Sequence, residues 1–454
     1  HSWDTVMENN YLLLIDGSGM LSTQFFGNLP REILFAKTPE EKEKNYHKIM
    51  MTSKGVYTNA VYGFLRMLFR ILKDEKPAYL AVAWDLTRDT FRRELYPEYK
   101  ANRSDTMEPL RLQYELCQEV LEKIHVCQLM DERYEADDFC GTVAKTWEKE
   151  IPVRILTKDH DYLQLVTNRT HLWLMHSSAE KTDEMYKKYG IDKASSGVPD
   201  RVFELDPALV EKEFGIKPEH VNSLKFLQGD ASDNIKGVPG VGAATAVKLI
   251  AKYGTIDHLY DAIRNLSKDE ENALKKSWKE ELGITRSPLN FLLKTSETEL
   301  VGEKAARLSK LLATIKTDID LQGLTLRDMK TELDKEAVIE VLNELEFDSL
   351  LKEFENTEDK EKEDLSGSFR TVSVMTEADR LLSAFLKESA LGITYKKGCG
   401  LSVSSNDIPG VFISEQFFIT EDYFSRFLKE ASSRDITLYS MEGKPVEKLC
   451  DVMM

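Results

Sequence analysis

Long apolar runs are missing from this sequence of 454 residues. None reaches the about 18 residues that a membrane-spanning helix needs, so a membrane protein is not expected. Cysteine is scarce too. The five thiols (Cys117, Cys127, Cys140, Cys399 and Cys450) are scattered, odd in number and include no CxxC pair. That argues against a disulfide framework and a structural zinc site, and suits a reducing cytosol. A secretory leader is also lacking, and "HSWDTV" (1–6) before Met7 reads as a remnant outside the native start "MENNYLLLIDG". Positive charge is in deficit, with 61 Lys and Arg against 78 Asp and Glu, a net of −17. That balance argues at first against a nucleic-acid partner. A basic face can nonetheless sit beside an acidic site, so the distribution matters more than the total.

What is present alternates. "NYLLLIDG" (10–17), "AYLAVAWD" (78–85) and "VRILTKDHD" (153–161) are compact apolar runs, as buried parallel strands tend to be. Helical patterns such as "NAVYGFLRMLFRILK" and "RLQYELCQEVLEKI" lie between them. This rhythm predicts an α/β domain over 7–206 with a mostly parallel sheet flanked by helices. From 207 the strand signals fade, and helices punctuated by Gly and Pro predict a helical subdomain over 207–354. The stretch 355–368, "ENTEDKEKEDLSGS", holds six acids and two lysines in its first ten residues and reads as a linker. A second, partial α/β pattern follows over 369–454.

Each of the three apolar runs ends in aspartate: Asp16, Asp85, and the pair Asp159 and Asp161. An Asp at a strand end can simply cap the next helix or start a turn. Three on one edge of a parallel sheet, where ligand sites gather, make independent capping a weaker explanation. "RYEADDFCG" (133–141) adds Glu135, Asp137 and Asp138 at a helix start, where the dipole would accept one or two acids. "QGDASDNIKG" adds Asp230 and Asp233, three apart, which a Ser/Asp-rich turn before Gly would also explain. Nine carboxylates held together without cations would raise one another's pKa values and cost stability. Hard divalent ions resolve this, and two about 4 Å apart can clamp an in-line phosphoryl displacement. Two Mg²⁺ or Mn²⁺ ions are therefore expected, and zinc is disfavoured by the absence of a Cys/His set.

Two further stretches suit DNA. In "GVPGVGAATAVKLIAKYG" (237–254), Gly237, Gly240 and Gly242 allow a tight hairpin whose amides can approach phosphates, with Lys248 and Lys252 on the next helix. In "FRRELYPEYKANR" (91–103), Arg92, Arg93, Lys100 and Arg103 interleave with Phe91, Tyr96 and Tyr99. That mixture fits phosphates and exposed bases of single-stranded ends, though a solvated basic helix would look similar.

Residues 10–355 resemble the 5′-nuclease domain of bacterial DNA polymerase I, in the flap endonuclease family. The resemblance rests on "LLLIDGSG", "AVAWD…TFRRELYPEYKANR", "YEADDFCGTVA", "ILTKDHDYLQLV", "FLQGDASDNIKGVPGVGAATAVKLI" and "LLATIKTDIDL". It implies a PIN-like fold and a metal-dependent 5′–3′ exonuclease and flap endonuclease. Asp16, Asp85, Asp137, Asp159, Asp161 and Asp230 would lie nearest two ions, with Glu135, Asp138 and Asp233 in or beside that shell. The hairpin would be a helix-three-turn-helix element that grips duplex and takes K⁺. The basic-aromatic stretch would belong to an arch, with Lys100 and Arg92 or Arg93 near the scissile phosphate. The implied partner is DNA with a 5′ flap, nick or RNA-primed 5′ end, met by a monomer in the bacterial cytoplasm during primer removal and repair.

The tail resembles the start of a 3′–5′ exonuclease domain, but "GITYKKG" puts Thr394 and Lys396 where proofreading versions carry an Asp-x-Glu pair. Proofreading is therefore not expected. Two other readings stand beside the main one. A PIN-type RNA-directed nuclease would lack the duplex-gripping hairpin, and a non-catalytic DNA-binding scaffold would have lost some of the inner acids.

Overall fold

Strand β1 (Leu12–Asp16) is buried at all five positions, and its neighbours explain why. It is paired in parallel on both sides, with β2 (Tyr79–Ala83) in the register Leu12↔Tyr79 and with β4 (Val153–Thr157) in the register Leu12↔Val153. A strand covered on both edges and both faces has no solvated position to fill with polar residues, so it reads as an unbroken apolar run. The computed structural model describes residues 10–367, 370–396, 398–416 and 419–440, so the expected remnant (1–6) and Cys450 lie outside the described residues.

With β3 (Cys127–Leu129), β5 (Thr170–Met175) and β6 (Val202–Leu205), the sheet runs β3-β2-β1-β4-β5-β6. All pairings are parallel except β5 with β6, which is antiparallel. The chain builds outward from β1 to β3, then returns to the other side of β1 for β4. At that switch the loops leaving β1 and β4 diverge and open a crevice at the carboxyl ends of the strands. Asp16 is the last residue of β1.

Helices cover both faces. Asn59–Asp74 buries Ala60, Val61, Phe64, Leu65, Leu68 and Ile71, the i, i+3, i+4 stripe of an amphipathic helix. Ala136–Trp147 sends Phe139, Cys140, Val143 and Trp147 into the core shared with Leu12, Val153 and Ile155.

From Pro207 the chain is helical, with a core of its own around Leu227, Leu249, Tyr260 and Trp278. It belongs to one compact unit with the sheet, which runs to Leu351. The acidic stretch expected as a linker continues as helix, within Asp348–Gly367. Its ten residues from Glu355 contain no Gly or Pro, and Glu and Lys favour helix enough to carry it on.

Residues from Lys352 form the second unit. Its five strands, β7 (Arg370–Val372), β8 (Ala390–Lys396), β9 (Gly400–Ser404), β10 (Val411–Ser414) and β11 (Thr437–Ser440), are ordered β11-β8-β9-β10-β7. Helices Met375–Phe385 and Glu421–Ser433 pack on this mixed sheet around Phe385, Phe424 and Leu428. Thr394 and Lys396 lie on the exposed side of β8. Among the described residues no helix is long and apolar enough to cross a membrane.

Candidate metal-dependent active site

The acids converge. A cleft of about 440 Å³ in the first unit is lined by Asp16, Asp85, Glu135, Asp137, Asp159, Asp161, Asp230 and Asp233, eight of the nine expected carboxylates. Arg92, Tyr99, Lys100 and Arg103 line it as well.

Four of these acids also accept from backbone amides. Asp16 caps the helix Gly17–Gly27, accepting from the Gly19 amide at 3.1 Å, and its other oxygen accepts from the Thr157 hydroxyl at 2.8 Å. Asp85 accepts from the Ala136 amide at 2.7 Å, so it caps the helix that carries Asp137 from 51 residues away. Asp159 caps the short helical turn His160–Leu165, and Asp230 caps the next at Ala231–Asp233. The capping explanation of the sequence pattern is thus correct as far as it goes. Capping uses one oxygen of each of these carboxylates; the other is held by Thr157 in Asp16 and by Lys225 in Asp230.

Electrostatics show what is missing. Burial and the neighbouring Asp85 push the Asp16 carboxyl up to about 7, against the pull of Thr157. Asp85 opens to the cleft, yet the protein mass around it and then Glu135 raise it too. Asp137 is held well above the usual carboxylate range by burial, Asp138 and Glu135, and its Oδ1 is buried without a hydrogen-bond partner. An orphaned carboxylate oxygen among raised carboxyls fits a cation, and a set of oxygen donors fits a hard one. One oxygen from each of Asp161, Asp230 and Asp233 lies within 4.8 Å of the others, a second group that could hold an ion.

Two of the expected residues are already engaged by the protein. Asp138, expected in or beside the metal shell, is fully buried, and both its oxygens are taken. Oδ1 accepts from Arg92 at 2.6 Å and the Lys316 amide at 2.8 Å. Oδ2 accepts from Arg92 at 2.8 Å and the Glu135 amide at 2.9 Å. No lone pair is left for an ion. Arg92, expected near the scissile phosphate, is 2% exposed and spends its donors on Asp138, Glu135 and the carbonyls of Leu312 and Thr314. It ties the base of the 91–103 stretch to two other elements. Arg93 pairs with Asp89 at 3.1 Å and does not line the cleft.

Glu135 is likewise engaged: Lys100 contacts Oε1, Arg92 contacts Oε2, and the Tyr99 hydroxyl reaches Oε2 at 3.2 Å. Burial would raise its carboxyl, but Lys100 and Arg92 outweigh that and hold it low. Arg103 pairs with Asp233. Sequence reading missed Lys225, whose amine contacts Asp161 and stands 3.2 Å from Asp230. Its only sequence signal is a lysine five residues before Asp230, on the short helix Val221–Gln228 that ends just before it.

The hairpin residues lie outside the cleft. Gly237 has φ +64, and a Cβ there would meet the Gly229 amide nitrogen at 2.3 Å. Gly240 has φ +93 and the Phe291 ring against it. Gly242 precedes the helix Ala243–Tyr253 with an ordinary φ. On that helix Lys248 donates to the Gly283 carbonyl at 3.2 Å, and Lys252 pairs with Glu281 at 3.1 Å.

A mostly parallel sheet whose switch-point crevice gathers oxygen donors, completed by helices, defines an α/β protein with an acidic cleft. Residues 11–190 match the family of the 5′-3′ exonuclease, N-terminal resolvase-like domain, and residues 216–337 match that of the 5′-3′ exonuclease, C-terminal SAM fold. The 5′-3′ exonuclease of Bacillus subtilis (strain 168) is 32% identical over 270 residues, 60% of this chain and 79% of that one. The chain belongs to the 5′–3′ exonuclease family. DNA polymerase I of Bacillus caldotenax is 32% identical over 381 residues, 84% of this chain, and that of Bacillus subtilis (strain 168) is 30% identical over 435 residues, 93% of it. The chain spans 36% and 41% of the length of those two relatives. The T5 5′-exonuclease solved with zinc ions is similar at 19% identity and a TM-score of 0.43, over 68% of this chain and 90% of that one, too distant to carry weight.

Proposed function

We propose that the chain is a divalent-metal-dependent 5′ nuclease. It hydrolyses phosphodiesters at 5′ flaps, nicks and RNA-primed 5′ ends, as the nuclease part of a polymerase I that removes primers and serves repair. The observation that carries this reading is the buried, unpartnered Oδ1 of Asp137, a residue that lines the cleft with the raised carboxyls of Asp16, Asp85 and Asp159. Mg²⁺ or Mn²⁺ would be held by Asp16, Asp85 and Asp137 on one side and by Asp159, Asp161, Asp230 and Asp233 on the other. Bound there, two ions supply Lewis acidity that lowers the pKa of water and offsets charge on the phosphate.

The chain's own residues do the rest. Lys100 brings an ammonium to the same cleft, where it offsets negative charge on the phosphate. Burial would lower its pKa, but Glu135, Tyr99, Asp233 and Asp85 outweigh that, so it stays charged. Arg103 and Tyr99 line the path of the 5′ strand. The hairpin at Gly237, Gly240 and Gly242, with Lys248, Lys252 and a K⁺ ion, holds the duplex backbone without reading sequence. The enzyme acts as a monomer in the cytoplasm, and the second unit, with Thr394 and Lys396 on β8, does no proofreading.

A cleavage assay on an end-labelled 5′-flap duplex and on a single-stranded RNA of the same length tests the reading. Mg²⁺-dependent cutting at the flap junction that stops with EDTA is expected. Equal cutting of the single-stranded RNA would instead support a PIN-type RNA nuclease.

A further inference from the structure

Lys100 sits in an unusual seat. The turn Glu98–Ala101 is closed by the Ala101 amide donating to the Glu98 carbonyl at 3.0 Å. Lys100 is the third residue of that turn and has φ +55, a conformation that usually falls to Gly or Asn. Across from it is the turn Asp230–Asn234, whose last residue, Asn234, is also left-handed, with φ 56 and ψ 36. Asparagine tolerates that region better than other non-glycine residues.

The two turns are bonded to each other. The Lys100 amide donates to the Asp233 carbonyl at 2.9 Å. Asn234 Nδ2 donates to the Glu98 carbonyl at 2.7 Å, and Asn102 Nδ2 donates to the Ala231 carbonyl at 2.7 Å. Tyr99, Ile235 and Leu312 pack as a small apolar cluster beside them. The Glu98 carbonyl therefore accepts twice, once from its own turn and once from Asn234, more than a hundred residues away in sequence. A left-handed lysine is strained on its own and persists where its surroundings over-determine it.

We infer that Asn234 is a positioning residue for Lys100. Its side-chain amide holds the Glu98 carbonyl, that carbonyl closes the turn, and the turn aims the lysine amine at the carboxylates. Asn234 lies in the cleft-forming turn but is not among the residues that line the cleft, so its part is played through Lys100. The inference rests on the proposed 5′-nuclease reading only for what Lys100 then does.

The test uses Asn234→Gly, which keeps the left-handed backbone and removes the donor. Hydrogen exchange over residues 98–103, with no substrate or metal present, reads the clasp itself. Exchange about tenfold faster than wild type is expected once the bond is gone. Unchanged exchange overturns the inference, whatever the activity. On a 5′-flap duplex with Mg²⁺, N234G is expected to lower kcat by about 10-fold to 100-fold with KM within about twofold. In a Lys100→Ala background the same change is expected to cost less than about twofold more. A full loss in that background would show that Asn234 acts on something other than Lys100. If the wild type itself cuts no flap, the nuclease reading fails while the exchange result still decides the clasp.

Discussion

Arg92 grips Asp138 with both terminal nitrogens, at 2.6 and 2.8 Å, where neither side chain meets solvent. The same guanidinium holds the carbonyls of Leu312 and Thr314 at 3.0 and 2.9 Å. One side chain thereby locks the start of the Asp137 helix to the end of the helix Gly302–Ala313.

Removing either half of that pair leaves a buried charge alone, so R92A or D138A is expected to lower stability by about 3–5 kcal/mol in urea unfolding. R92K is expected to recover little of the loss. Lysine cannot give the paired donors to Asp138 and reach two carbonyls as well. If R92K unfolds like wild type, the lock is not what holds these elements together.

Lys225 occupies the space between Asp161 and Asp230 that a cation would use. Lys225→Met is expected to tighten binding of Mn²⁺ to the DNA-free protein by about tenfold, the scale of one charge-assisted bond no longer competing. Titration calorimetry reads it, and an unchanged or weaker affinity would mean that the ammonium and the ion do not compete.

Gln113 is fully buried and uses its whole amide. It accepts from the Ala60 and Val61 amides at 2.7 and 3.2 Å and donates to Asn59 Oδ1 at 2.8 Å and the Pro109 carbonyl at 3.0 Å. Q113L keeps the volume but strands all four partners, and is expected to cost about 2–4 kcal/mol. Thermal unfolding of Q113L beside wild type measures it.

Glu204 gives the pH prediction. Burial acts to raise its carboxyl, but His171, Arg154 and Trp173 outweigh it and bring it down to about 2. The contacts are 3.2 Å to His171 and 2.7 Å each to Arg154 and Trp173. A lowered carboxyl binds fewer protons folded than unfolded, so its contribution is complete above about pH 4.5 and fades as pH falls towards 2. Wild type is expected to exceed E204Q by about 1–2 kcal/mol at pH 7, with a gap that narrows steadily below pH about 4.5. A gap that stays constant down to pH about 3 would contradict this.

Much of the site was legible because its parts are local. An apolar run ending in Asp announces a strand and its edge, and Asp16, Asp159 and Asp161 follow from that alone. Asp85 required only that β2 stand next to β1, which the parallel pattern implies. What escaped was set by distance along the chain. Nothing in "FRRELYPEYKANR" says that Arg92 will be captured by Asp138 and by two carbonyls over two hundred residues on, while Arg93 turns to Asp89. The same holds for Asp138, whose neighbour Asp137 keeps a free oxygen. At 355–368 charge composition pointed to a linker, and the stretch is helical through Gly367, its ten residues from Glu355 holding no Gly or Pro.

We infer that the Asp137 oxygen, unpartnered among the described residues, holds a metal ion that does the chemistry. The most direct measurement is single-turnover cleavage of a 5′-flap duplex by Asp137→Ala with saturating Mg²⁺, alongside the affinity of the same variant for that DNA. Loss of cleavage by about 1,000-fold or more, with affinity within a few-fold of wild type, is the predicted result. Cleavage at the wild-type rate would contradict the account and move the active site elsewhere.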